Sequence, residues 1–370
     1  MSTPRVETID VFRGVAILLV VLYHFTARLP PAALNVSGIA APPVFFGWIG
    51  VFFFFTISGY CIFLTLERSA TISLFLARRF SRLYPAFLAA AIFLFIYGIV
   101  APPPSVPEAG FHERAATLLD LLTNLVFVGD GRWINGSFWS IAVEIKFYIG
   151  LGLLALLIPD RQRLALMFGW IAVAAAPFWM VAMLFHAQGG SRLPVTLLEF
   201  GTIAPYLPFF AIGILARHRE QMALLAVCFI EAGIVVWLVA MDGSTDVAGG
   251  ALSTLLALGF LAVLVAFANG LRIPHVPGLS RALAGVGFVS FSWYLVHENL
   301  GTSFLFNLDR YVPNPVAVML TIGMTLLIAW VFSELVEWRF RKPAEALALR
   351  ALTTAGELAG RLRRPAVAKA

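Results

Sequence analysis

The sequence predicts an all-α fold: a polytopic integral membrane helical bundle of about ten transmembrane helices. Three observations carry that expectation. Of 370 residues, 60% are hydrophobic and 12% charged, about half the ~25% charge of a soluble domain. That much apolar surface cannot be buried in a water-soluble core of this size, so the solvent is lipid. The apolar residues also come in long continuous runs near the ~20 residues that cross a ~30 Å hydrocarbon core, not in the ~10-residue alternating segments of a barrel. Finally, the Lys and Arg residues segregate to one side of those runs.

The spans fall near 9–27, 43–66, 83–101, 138–158, 164–186, 199–216, 223–241, 250–269, 285–306 and 316–338. With the N-terminus placed in the cytoplasm, 19 of the 26 Lys and Arg residues fall on inner segments and 5 on outer ones; Arg13 and Lys146 lie within spans. This split predicts both termini inside and an even number of spans. It also accounts for the net charge of +6 without nucleic acid as a partner. The two cysteines, Cys61 and Cys228, sit in apolar runs, which argues against a disulfide framework or a cysteine metal site. No cleavage site follows the first run, so it reads as retained.

The first span, "IDVFRGVAILLVVLYHFTARLP", is oily but holds Asp10, Arg13 and His24. Ionisable side chains at span depth are costly unless paired or hydrated, so each is a functional candidate. Asp10 and Arg13 sit near the inner end; His24 is eleven residues on, about 16 Å further out. The second span carries "GVFFFFTISGY", in which Gly50 and Gly59 permit close backbone approach and Ser58 adjoins Gly59. The third span opens on "RRFSRLYP". Its Arg79 and Arg82 are three apart on one helical face, and two guanidiniums there suit a phosphate or pyrophosphate.

The loop over 102–137 begins with a rigid, extended "APPPSVPE". Residues 113–128 have the periodicity of an amphipathic helix at the outer interface. The fourth span brings Glu144 about two turns below its outer end, at a depth similar to His24. If their faces meet, they form a base and its orienting carboxylate. Pro177 interrupts the fifth span, and Pro205 and Pro208 the sixth, as in helices that line a cavity. "VHENL" at 296–300 resembles the start of a zinc motif, but no second histidine follows at the required spacing, so no metal is expected. Glu334, Glu337 and Arg339 read as a structural ion-pair set. Residues 1–343 form the membrane domain, and 344–370 a basic, Ala- and Arg-rich helical tail in contact with membrane lipid.

Assembled, these residues resemble the family-3 membrane acyltransferases, a bacterial family that O-acylates cell-envelope sugars and some small molecules. The Arg-x10-His pattern fits Arg13 and His24. The G-[VI]-x-x-F-F-x-x-S-G-[FY] pattern fits Gly50 through Tyr60. The R-x-x-R-x-x-P pattern fits Arg79, Arg82 and Pro85. The W-S-x-x-x-E-x-x-F-Y pattern fits Trp139, Ser140, Glu144, Phe147 and Tyr148. "SFSWYLVHENL" and "SELVEWRFRKP" resemble the family's closing motifs, and the likeness covers residues 5–343. Position 146 is Lys where relatives often have Gln.

The resemblance implies a multi-pass protein of the bacterial inner membrane, an acyl-CoA (acetyl-CoA by family habit) as donor, and a sugar or polysaccharide precursor as acceptor. Arg79 and Arg82, with Arg13, would hold the CoA. His24 would be the base, with Glu144 holding its ring. Asp10, Ser58, Trp139, Ser140 and Tyr148 would line the substrate path, with Tyr148 or a backbone N–H near Gly59 as oxyanion donor. Direct transfer and an acyl-enzyme on Ser58 or Ser140 both remain open. The competing class is a multi-span transporter or flippase of a lipid-linked sugar or acyl group, which predicts inverted repeats; none is evident.

Overall fold

Lipid offers backbone amides no partner, so each apolar run must satisfy its own hydrogen bonds, and these runs form helices. The computed structural model describes residues 4–29, 45–101, 116–128, 132–243 and 246–362, with no strand among them. Side chains of residues 4–6 and 355–362 are not described. Eight helices are long and apolar enough to cross a membrane, or up to ten if each of two bent helix pairs is one span. The chain is therefore a polytopic helical membrane protein, as its composition predicts. "APPPSVPE" after its Ala101, and the tail beyond 362, lie outside the described residues.

The long helices are α1 (Pro4–Phe25), α2 (Gly50–Glu67) and α3 (Ile72–Val100). A short α4 (Leu118–Leu125) follows, then α5 (Phe138–Leu157) and α6 (Arg161–Ala187). The second half holds α7 (Leu207–Leu215), α8 (Met222–Asp242), α9 (Val247–Ala268), α10 (Leu279–Phe288), α11 (Ser290–Leu308), α12 (Asn314–Phe332) and α13 (Arg339–Leu362). Side-chain caps mark several starts. Thr71 accepts from Leu74 N at 3.1 Å, Asp160 from Arg163 N at 2.7 Å and Asp246 from Gly249 N at 2.7 Å, each satisfying an amide that the helix leaves unpaired. The helix expected over 113–128 is shorter. A Thr117–Asp120 capping box starts α4, whose Leu118, Leu119 and Leu122 are exposed while Leu121 and Asn124 are buried.

Two seams of small residues set how closely the helices meet. Where α2 crosses α7, a Cβ on Gly59 would strike the Phe210 carbonyl and one on Gly213 the Thr56 carbonyl. Only glycine fits both sides of this crossing. Aromatic rings fill the space around it, with Phe147 stacked on Phe210 at 4.0 Å and Phe52 on Phe209 at 4.6 Å between centroids. Gly14 and Gly287 play the same part where α1 crosses α10: the Cβ positions would strike Leu283 O and Asp10 O.

Two spans are bent. Leu193–Gly201 meets Ala204–Leu215 at 58°, with Ile203 in the left-handed region at φ 55°. A β-branched residue there carries strain of order 1–3 kcal/mol. The break frees backbone carbonyls at membrane depth, and Lys146 donates its Nζ to Phe200 O. That contact gives a physical reason for a lysine inside α5. The second elbow joins α10 to α11 at 73°. There Ser292 Oγ donates to Glu337 Oε2 at 2.8 Å, both groups being buried. Glu337 lies in a π-helical stretch, Ser333–Trp338, that links α12 to α13. The expected ion-pair set is thus not formed: among the described residues Glu337 partners Ser292, and neither Glu334 nor Arg339 joins an ion pair. The tail helix α13 packs along α3, with Arg78 Nε 3.5 Å from Glu345.

Candidate active site

Two polar groups lie inside the bundle, one towards each end of α1. The first lines a cavity of about 270 Å³ walled by α1, α2, α3, α5 and α11. Asp10 and Arg13 come from α1, Ser58 and Cys61 from α2, Arg79 and Arg82 from α3, and Ser140, Glu144 and Tyr148 from α5. Asp10 Oδ1 lies 3.5 Å from Arg13 Nη1, the i,i+3 pair that the sequence spacing allows. Glu144 Oε1 accepts from Ser58 Oγ at 2.6 Å and from the Tyr148 hydroxyl. Arg79 is buried, and its Nε has no partner among the described residues. Three guanidiniums against two carboxylates leave the cavity net cationic, so it suits an anionic ligand.

The second group sits at the other end of α1. His24 occupies the last turn, its Nδ1 2.8 Å from Val20 O. A carbonyl can only accept, so Nδ1 carries the proton and Nε2 keeps its lone pair. That lone pair faces Glu298 Oε1 at 3.6 Å. The Arg28 guanidinium donates to the same oxygen. Burial pushes the Arg28 guanidinium down, but the Glu298 carboxylate against it more than reverses this and holds it above its ordinary value. Arg28 therefore stays a cation. The His297 ring lies 5.0 Å from the His24 ring, with its own Nδ1 2.9 Å from Tyr294 O.

The start of α5 is tied to α11 beside this group. Asn135 Nδ2 donates to Leu295 O at 2.8 Å, and Asn299 Nδ2 to Ile134 O at 2.7 Å. Asn299 N also donates to Asn135 Oδ1 at 3.0 Å. The Glu298 carboxylate lies directly over Gly136, in the space a Cβ would fill. Tyr294 joins the two groups. Its hydroxyl is 2.7 Å from Ser140 Oγ on the cavity wall, and its ring is 5.5 Å from that of His297.

The expected pairing of His24 with Glu144 is not formed. The carboxylate at His24 is Glu298, and Glu144 belongs to the cavity with Ser58 and Tyr148. Counting from helix ends misplaced Glu144. His24 sits at the very end of α1, level with Gly136, whereas Glu144 lies a further six residues along α5 from Phe138, about 9 Å deeper. "VHENL" has no second histidine nearby in sequence, so nothing local marks Glu298; the histidine beside it comes from α1. Trp139 does not line the cavity: α5 turns it towards Phe55 and Tyr206, at 6.2 Å and 5.5 Å between centroids. The Tyr148 hydroxyl is committed to Glu144, which leaves it poorly placed as an oxyanion donor. Cys61 and Cys228 are both free thiols.

A family model described as an acyltransferase domain matches residues 6–334. A protein of Shigella phage Sf6 described as an O-acetyl transferase is 30% identical over 156 residues. That match covers 38% of this chain and 43% of the relative, so less than half of the relative's length is spanned. No solved structure matches. With residues 6–334 of its 370 matched by that family model, the chain belongs to the family-3 acyltransferases.

Proposed function

We propose that the protein is an integral membrane O-acyltransferase that moves an acyl group, acetyl by preference, from acyl-CoA in the cytoplasm to a hydroxyl of a cell-envelope sugar or polysaccharide precursor on the outer side. Cytoplasmic termini are supported by the charge asymmetry of the loops, and the bacterial inner membrane by the family resemblance. The observation that carries the reading is the division of labour along α1: a cationic cavity at the Arg13 end and a histidine–carboxylate pair at the His24 end, about 16 Å apart.

Arg79, Arg82 and Arg13 bind the phosphates of the donor, and its long thin arm runs past Ser58 and Ser140 towards Tyr294. His24 Nε2 takes the proton of the acceptor hydroxyl, and the oxygen attacks the thioester carbonyl carbon. The carbon–sulfur bond breaks, and the thiolate leaves with the proton returned by His24. Glu298 stabilises the imidazolium that exists only between those two proton transfers, and Arg28 keeps Glu298 ionised and aimed. Asp10 orients Arg13.

The test is acetyl transfer from radiolabelled acetyl-CoA into the glycan fraction of membranes holding the protein, with thiol release followed in parallel. The expected result is label in glycan that His24→Ala abolishes while the variant remains inserted and monodisperse. Label that survives His24→Ala overturns the base. Glycan translocation without any acetyl incorporation would instead support the transporter reading.

A further inference from the structure

Three lone-pair acceptors converge at the outer end of α1 with little to donate to them. One ring nitrogen each of His24 and His297 and a Glu298 carboxylate oxygen all lie within 4.8 Å of one another, with His24 Nε2 3.6 Å from Glu298 Oε1. His297 is 0% and Glu298 2% exposed. Neither His297 Nε2 nor Glu298 Oε2 has a hydrogen-bond partner among the described residues. Arg28 donates to Oε1. Both imidazoles are fixed in the same way, Nδ1 to a backbone carbonyl, so both lone pairs are presented at Nε2. This is the outer-shell arrangement that orients metal-ligating histidines.

We propose that His24, His297 and Glu298 form a binding site for a divalent transition-metal ion, with Zn²⁺ the best match, and that the bound ion silences the base. Two imidazoles and one carboxylate with a fourth position open is a common zinc donor set. Imidazole selects Zn²⁺, Cu²⁺ or Ni²⁺ over Mg²⁺ and Ca²⁺. The geometry is close. Ligands at about 2.1 Å in a tetrahedron stand about 3.4 Å apart, against 3.6 Å between His24 Nε2 and Glu298 Oε1 and up to 4.8 Å across the trio, a gap that side-chain rotation closes on binding. Rotation of the carboxylate to present Oε2 leaves Arg28 on Oε1 as an outer-shell partner. The guanidinium charge opposes the ion, so binding is weaker than at a structural zinc site. The ion uses the lone pair that would accept the acceptor's proton, so occupancy and base action exclude each other. The silencing rests on the acyl-transfer reading; the binding does not, because it is measured without donor or acceptor.

Full-length protein in detergent, stripped with EDTA, is titrated with ZnCl₂ by calorimetry, and bound zinc is counted by elemental mass spectrometry. The expected result is one Zn²⁺ per chain, weakened at least about tenfold by His297→Ala and unchanged by His218→Ala, a half-buried histidine outside the trio that pairs with Glu220. Binding that His297→Ala leaves intact, or that His218→Ala removes, overturns the site. If His297→Ala fails to fold, Co²⁺ in the unaltered protein decides: an intense tetrahedral visible spectrum supports the trio, and a weak octahedral one overturns it. Zn²⁺ should inhibit acetyl transfer, with recovery on EDTA and no effect of Mg²⁺. Full activity of the zinc-loaded protein overturns the silencing while leaving the transferase reading untouched.

Discussion

Glu298→Gln tests the catalytic geometry most directly. The substitution keeps the side chain's size and removes its charge 3.6 Å from His24 Nε2. Two unit charges at that separation interact by about 4.6 kcal/mol at an effective dielectric of about 20. The imidazolium forms fully only after proton transfer. A half-developed charge in the transition state therefore loses about 2.3 kcal/mol, and a fully developed one the whole amount. At 1.36 kcal/mol per decade these are falls of about fiftyfold and about two-thousandfold. The uncharged ring of the resting state loses little, so the fall belongs in kcat and not in the donor KM. The assay is initial-rate acetyl transfer over a range of acetyl-CoA, with monodispersity and thermal unfolding checked because Arg28 loses its counter-ion. Pairing the change with Arg28→Gln relieves that buried charge without restoring the rate. A Glu298→Gln enzyme within tenfold of the parent kcat would refute the assignment.

Other outcomes follow from the same geometry. Arg82→Ala should raise the donor KM while changing kcat little, measured by the same initial rates. Ser58→Ala should keep transfer within about tenfold if no acyl-enzyme forms there, and acetyl-CoA alone should leave no label on the denatured chain. Gly136→Ala puts a methyl into the space of the Glu298 carboxylate; activity should collapse with the unfolding temperature nearly unchanged. Gly213→Ala meets backbone at the α2–α7 crossing, and overpacking of about 1–3 kcal/mol or more should appear as a lower unfolding temperature whether or not substrate is present.

The spans were legible because the lipid constraint acts on whole segments: twenty apolar residues are hard to mistake. The intramembrane charges were legible for the same reason, since Asp10, Arg13, His24 and Glu144 stand out against an oily background. Which carboxylate faces His24 was not. That depends on where α5 begins relative to the end of α1, a matter of loop packing through Asn135 and Asn299. The elbow at Ile203 was announced by Pro205 and Pro208, but its satisfaction by Lys146 was not, because the partner is a backbone carbonyl 54 residues away. His297 and Glu298 sit in a stretch that resembles a metal motif, yet their partners are 270 residues or more earlier in the chain, at the end of α1.

Because α1 bears both Arg13 and His24, it works as a ruler whose graduations are peptide units. The eleven-residue gap amounts to about three turns, and the glycine crossing with α10, with Gly50 of α2 pressed against Ala16 O, keeps the scale from sliding. One inserted residue between those two positions would swing the imidazole by about 100° about the rod while lengthening it by only about 1.5 Å. Tolerance to length is thus generous and tolerance to phase almost nil: such an insertion also turns the buried Ile17, Val20, Val21 and Phe25 out of their packing, so it should abolish transfer and lower the unfolding temperature together.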